Sequence, residues 1–177
     1  MAWIAGVDGC RAGWVAVFLN PESGERETRI CRFFEEVSGI APAPGMTAVD
    51  MPIGLFDEGV PGGGMRDTAA RVLLKKQRSS SVFPPPSRRA LGGDSFEEAG
   101  RLNGAAGLTL QSYCLFPKLR EVDGAMTPHL QERIREVHPF DACVACWSAE
   151  RILRGEAVRI PDDPPLDARG LRMEIWG

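Results

Sequence analysis

Three aspartates stand where a carboxylate needs a reason. Asp8 ends the apolar run Ile4-Ala-Gly-Val7, and Asp50 ends a second such run, Met46-Thr-Ala-Val49, which Pro52 stops. Asp141 falls in the first turn of the strongest helical pattern in the chain, Phe140 to Arg154, closed by Gly155. An ionised carboxylate among apolar groups has to be hydrogen-bonded, paired or bound to metal. Ordinary roles are open to them. Asp8 can accept from the amides of the turn after it, and Asp141 can complement the positive end of its helix. Together they admit another chemistry. Carboxylates held side by side raise each other's pKa unless a cation lies between them. Mg²⁺ or Mn²⁺ suits an all-oxygen donor set. Two such ions roughly 3.5–4 Å apart would activate a water and stabilise the leaving oxygen of a phosphodiester.

Other residues fit around such a centre. Glu136 is the candidate for a fourth acid, at the end of the apolar-polar alternation Arg133-Ile-Arg-Glu-Val-His138. His138 offers a metal ligand, a proton shuttle or a substrate contact, against the simpler role of a hydrogen-bonded strand-end histidine. Arg11, Arg78 and Lys118 are candidates for phosphate contact, and each taken singly reads as a surface charge. His129 reads as surface, Glu121 and Asp123 as a solvated helix end, and Trp14 and Trp147 as core.

The elements that must position these groups follow from pattern. Ile4 to Val7 and Trp14 to Leu19 form a hairpin, with Gly9 and Gly13 expected to supply positive φ at the two ends of its turn. Thr28 to Phe34 alternates as a third strand after the turn Asn20-Pro-Glu-Ser-Gly24. Glu35 to Ile40 makes a short helical crossover, and Met46 to Pro52 a fourth strand, parallel to the first. Asp67 to Lys76 is a helix with Ala69, Ala70, Val72, Leu73 and Leu74 as its apolar stripe. The Gly62-Gly-Gly64 before it lacks the Lys and Ser/Thr spacing of a phosphate loop. Arg78 to Pro86 is irregular, a proline strap over the core or one wall of a groove.

Farther on, Ser95-Phe-Glu-Glu98 is a capping box. Pro117 kinks or breaks the helix begun at Thr109, and Thr127-Pro128 caps another. Arg133 to His138 is a fifth strand and Leu171 to Trp176 a possible last one. With strands one and four parallel neighbours, Asp8 and Asp50 share the carboxyl edge of the sheet, where α/β sites form.

Composition narrows the classes. The 177 residues suggest one domain, 1–177, and a net charge of −3 argues against a broad nucleic-acid-binding face while leaving room for a local basic groove. No apolar run approaches a membrane span, and the amino terminus lacks a signal-peptide pattern. Five cysteines, an odd number in mostly apolar company, read as reduced, buried thiols of a cytoplasmic protein. Cys143 and Cys146 form a C-x-x-C without the second pair of a zinc site or the preceding strand of a redox motif.

The order of elements is that of an RNase H-like fold: an α/β domain with a mixed five-stranded sheet, three antiparallel strands plus parallel strands, flanked by helices. The residues carry a closer likeness. Gly6-Val-Asp-Gly-Cys-Arg-Ala-Gly-Trp-Val15, Val49-Asp-Met-Pro-Ile-Gly-Leu55, Arg78-Ser-Ser-Ser-Val-Phe-Pro-Pro-Pro86, Gln111 with Glu121-Val-Asp123, and Glu136-Val-His-Pro139 resemble the predicted RNase H-like nuclease family known as Domain of Unknown Function 429. Asp141-Ala-Cys-Val-Ala-Cys-Trp147 and Arg169-Gly-Leu-Arg-Met-Glu-Ile-Trp176 fit its C-terminus.

The resemblance implies a metal-dependent nuclease that hydrolyses DNA or RNA, with Asp8, Asp50 and Asp141 as the acidic positions holding Mg²⁺ or Mn²⁺. One departure stands out. The family carries a further, often basic segment after the His-Pro, whereas here Pro139 runs straight into Phe140-Asp141. Either the chain carries a true deletion there, or the protein has a further segment between Pro139 and Asp141 that the 177-residue sequence omits; the second is expected.

Two other classes compete with the nuclease: a non-catalytic scaffold or binding protein on the same fold, and an actin-like relative that binds nucleotide phosphates through its first hairpin. The carboxylate cluster discriminates against a scaffold. A single domain of this size lacks the second lobe that would close over a nucleotide.

Overall fold

A computed structural model describes residues 3–41, 43–78, 82, 84–138 and 142–177, and of 74–78 the backbone alone. Strands β1 (Ile4–Cys10) and β2 (Gly13–Leu19) form the expected hairpin. Cys10 pairs with Gly13, so the turn is the two residues Arg11-Ala12. Gly13 has φ 136°, and a Cβ there would overlap the Cys31 carbonyl oxygen. Gly9 was expected to do the same at the other end of the turn. Instead it lies inside β1 opposite Trp14, because the strand runs on to Cys10.

Strand β3 (Arg26–Cys31) pairs antiparallel with β2. The helix α1 (Phe34–Ser38) then claims Phe34, which joins the core instead of extending β3. Strand β4 (Met46–Val49) follows. Next come α2 (Met65–Arg78), α3 (Phe96–Leu102), α4 (Leu110–Cys114), α5 (Phe116–Ala125) and α6 (Pro128–Gln131).

Ser95 and Thr127 cap α3 and α6 through their side-chain oxygens, as their spacing predicts. Pro117 breaks the helix: α4 ends at Cys114 and α5 restarts with the proline in its first turn, where a missing N–H costs nothing. Strand β5 (Ile134–Glu136), α7 (Ala142–Leu153), β6 (Arg159–Ile160) and β7 (Ile175–Trp176) complete the chain.

The main sheet has the order β3-β2-β1-β4-β5, with β4 parallel to β1 and β5 parallel to β4. It is the mixed five-stranded sheet flanked by helices that the sequence predicts. Its two faces are covered differently. Ala5, Val7, Trp14, Ala16, Phe18, Val49 and Ile134 face α1 and α5 in the larger core. Ile4, Met46, Ala48 and Val137 face α7, which buries Ala145, Cys146 and Ala149 against them. Side chains alternate between faces along a strand, so every residue of the sheet has its side assigned by this division. In the larger core, Trp14 meets Phe34 edge-on at 5.0 Å and donates its indole N–H to Glu121 Oε2 at 2.8 Å. That contact draws Glu121 inward from the solvated role expected of it.

Several packing expectations are corrected. The stripe assigned to α2 does not face the core: Ala70 is buried in a small cluster with Val82 and Ile175, but Val72 and Leu73 are exposed, because α2 turns Arg66 and Ala70 inward instead. Trp147 is 55 % exposed on the outer side of α7, stacked under Arg151, since small residues face the sheet there. Of the cysteines, Cys31 and Cys146 are buried while Cys114 and Cys143 are exposed; none of the five is disulfide-bonded. The junction at Pro139–Asp141, where a missing segment was expected, lies outside the described residues. Among the described residues no helix is long and apolar enough to cross a membrane.

Candidate functional site

Register brings the first two acids together. Val7 lies opposite Val49 in the parallel pair, and the Asp50 N–H donates to the Val7 carbonyl at 3.2 Å. Asp8 and Asp50 are therefore the next residues of neighbouring strands, at the carboxyl edge of the sheet. By alternation from Ile4 and Gly6, and from Met46 and Ala48, both belong to the face that α7 covers. Both are partly accessible.

Gly6 decides how α7 meets that face. A Cβ there would overlap the Ala142 carbonyl oxygen and the Cys146 backbone nitrogen, and would lie 2.8 Å from the Ala145 carbonyl carbon. The helix backbone thus rests directly on β1. Its first residue, Ala142, sits over Gly6, two residues before Asp8. The third acid, Asp141, precedes Ala142 in sequence and lies outside the described residues.

His138 is drawn to the same edge. Just past the bridge between Val137 and Trp176, its Nδ1 lies 3.1 Å from Asp50 Oδ1. This hydrogen bond raises the imidazole above its ordinary 6.5, outweighing burial, with Glu136 and Asp67 adding to the rise. Asp50 and His138 make a neutralised pair wherever the imidazole is protonated.

Glu136 lies elsewhere. It is opposite Val49, on the face away from α7, and buried. Its Oε2 accepts from the Ile53 N–H at 2.7 Å and from Arg66 at 2.9 Å. Arg66 is as buried as its partners. It also donates to the Ile53 carbonyl at 2.5 Å and lies 3.6 Å from Asp67, whose carboxylate accepts the Gly64 N–H at 2.7 Å. Burial pushes the Glu136 carboxyl up to about 8, with Arg66 and the Ile53 amide pulling against it. Sequence reasoning missed Arg66. Nothing local marks an arginine at a helix start for burial, and its partner lies 70 residues away.

The expected phosphate contacts do not gather. Arg11 is exposed in the hairpin turn. Lys118 is on the far side of the sheet from Asp8, with its ammonium 4.8 Å from the Trp14 ring centroid and 3.6 Å from Glu121. Arg78 ends α2, and its side chain is outside the described part. Among the described residues no three of His, Cys, Asp and Glu converge to hold a metal ion. The described donors are the neighbouring carboxylates of Asp8 and Asp50. Mg²⁺ fits such a set, since it is commonly held by one or two carboxylates and keeps several waters.

The sequence model of a family described as "Protein of unknown function (DUF429)" matches residues 6–139. The chain belongs to DUF429. The DUF429 match takes in Asp8, Asp50, Arg66, Glu136 and His138, and stops before α7. No curated protein and no solved structure matches the chain.

Proposed function

We propose that this DUF429 protein is an RNase H-like, metal-dependent nuclease that hydrolyses phosphodiester bonds of DNA or RNA at the Asp8–Asp50 edge. One observation carries the reading: two carboxylates follow each other across parallel strands on one face, at the carboxyl edge of the sheet and beside the start of α7. Carboxylates brought side by side favour a cation between them. The hard oxygen donors favour Mg²⁺ or Mn²⁺, which would supply a polarised water and charge stabilisation for the leaving oxygen.

The chain's own residues have separable parts in this reading. Asp8 and Asp50 present the negative field at the edge, and Asp141 is the expected third carboxylate. His138 orients Asp50 through its Nδ1 contact and holds a proton beside the site. Glu136, tied to Arg66 on the other face, supports this edge and does not meet the reacting atoms. Arg11, exposed in the hairpin turn, is the candidate there for a phosphate. The free thiols fit a reducing compartment such as the cytoplasm.

A second reading, a non-catalytic nucleic-acid-binding protein, draws on the Asp50–His138 pair, which neutralises one carboxylate within the protein.

Calorimetric titration of Mn²⁺ into the protein, with Asp8→Asn and Asp50→Asn as controls, separates the readings. Saturable binding lost in both variants, with metal-dependent cleavage of a DNA or RNA substrate, is the expected result. No binding at millimolar Mn²⁺ would overturn the metal site. Binding without cleavage of single- or double-stranded substrates would move the assignment to the binding protein.

A further inference from the structure

A buried hydrogen-bonded cluster lies one layer behind the candidate site. Ile53 is three residues after Asp50, and both sides of its backbone are held. Its N–H donates to Glu136 Oε2 at 2.7 Å, and its carbonyl accepts from Arg66 at 2.5 Å. Arg66 closes the ring by donating to the same Glu136 oxygen at 2.9 Å. Arg66 and Glu136 are 3 % and 6 % exposed, and Ile53 is 1 % exposed. Water therefore does not compete for these bonds, and a side chain that let go would strand a buried partner.

The strand that carries Glu136 also carries the other contacts of this loop. The Val137 N–H donates to the Val49 carbonyl at 3.0 Å, and His138 reaches Asp50 at 3.1 Å. Three consecutive residues, 136–138, thus hold the chain at positions 53, 49 and 50. Asp50 sits just past the last ladder residue of β4, where a strand end would ordinarily be free to swing. The bracket removes that freedom.

We infer that Arg66 and Glu136 are positioning residues. By clamping the Ile53 peptide they fix the 50–53 loop and so the direction of the Asp50 carboxylate at the sheet edge. The inference rests on the proposed metal site for its functional meaning, and on the hydrogen bonds alone for its mechanical part. Supporting groups of this kind typically change metal affinity by 10–100-fold when altered.

Two conservative variants test it. Arg66→Lys keeps a positive charge, but a single ammonium cannot stand both where Nη1 bonds Glu136 and the Ile53 carbonyl and where Nε faces Asp67 at 3.6 Å. Glu136→Gln keeps an oxygen for the Ile53 amide. The measurements are amide hydrogen exchange at Asp50 and Ile53 and Mn²⁺ affinity by calorimetry. Val37→Ala serves as control, a core change within α1, which packs on β2, β3 and α5.

Faster exchange at both amides in Arg66→Lys is expected, with Mn²⁺ affinity about tenfold weaker. A smaller change is expected in Glu136→Gln and none in Val37→Ala. Exchange and affinity equal to wild type in Arg66→Lys, or equal losses in Val37→Ala, would overturn the inference. A wild-type protein that binds no Mn²⁺ would remove the proposed metal site, and the exchange at Asp50 and Ile53 would then decide the positioning claim on its own.

Discussion

Replacing Gly6 with alanine should separate α7 from the sheet, while the same change at Gly9, three residues along the same strand, should be harmless. At Gly6 the new Cβ would overlap two α7 backbone atoms, Ala142 O and Cys146 N, and would lie 2.8 Å from a third, Ala145 C. Carbon atoms pack best at about 3.5–4.0 Å, so even the loosest of these contacts requires a retreat of about 0.7 Å, and the other two require more. Backbone cannot rotate aside as a side chain can. The whole helix must move, loosening the contact of Ala145, Cys146 and Ala149 with Ile4, Met46 and Ala48.

Overpacking costs about 1–3 kcal/mol, and a displaced helix belongs at the upper end. In a domain of this size each kcal/mol is worth about 2–4 °C, so Gly6→Ala should melt roughly 6–12 °C lower. At Gly9 the added Cβ would meet only the Lys118 stem, 3.7 Å away, an ordinary contact. Gly9→Ala should stay within about 1 kcal/mol of wild type, with a small gain from the stiffer unfolded chain. Thermal and urea unfolding of both variants check this. A Gly6→Ala melt within about 2 °C of wild type, or an equal loss in Gly9→Ala, would refute the claim that direct helix-on-strand contact needs this glycine.

Two further outcomes follow from charge placement. The folded-state value of His138 lies above its ordinary 6.5 because of Asp50. Its stabilisation is therefore complete below that ordinary value and lost as pH rises through the raised one. Melting temperatures should decline across that window and Asp50→Asn should flatten the decline; an unchanged slope would show that the pair does not form in solution. Elsewhere, Arg88 bonds Asp123 and Asp167, whose side chain is covered. Against burial, Arg88 and the amides of Leu171 and Arg169 hold the Asp167 carboxyl below its usual range. Arg88→Met should cost about 3 kcal/mol in urea unfolding at neutral pH, the lower end for a broken buried pair because Arg88 is partly wet. That stabilisation is lost as pH falls through the depressed Asp167 value, so the variant should differ less from wild type in acid; a neutral-pH loss below about 1 kcal/mol would count against the clamp.

Much of the architecture was legible in the chain because it rests on local rules. Alternation marks the strands, Ser95 and Thr127 mark helix starts, Pro117 breaks a helix, and a lone acid after each of two apolar runs marks Asp8 and Asp50. Side-chain period and capping chemistry act over a few residues, so a sequence records them directly. The parallel pairing of β1 and β4 was an inference from element order, and their register then made neighbours of two acids 42 positions apart in number.

What tertiary structure alone decided has no local signature. Arg66 is buried because Glu136 and Ile53 come to it, and Glu136 belongs to that pair because strand alternation turns it away from α7. Trp147 is outside because α7 presents its small residues to a sheet that Gly6 lets it touch. The stripe of α2 was misjudged because an apolar helical period states that a face exists, not that another layer covers it. In each case the deciding partner is distant in the chain. A residue's type sets which interactions it can make, and only the packed arrangement selects the one it does make.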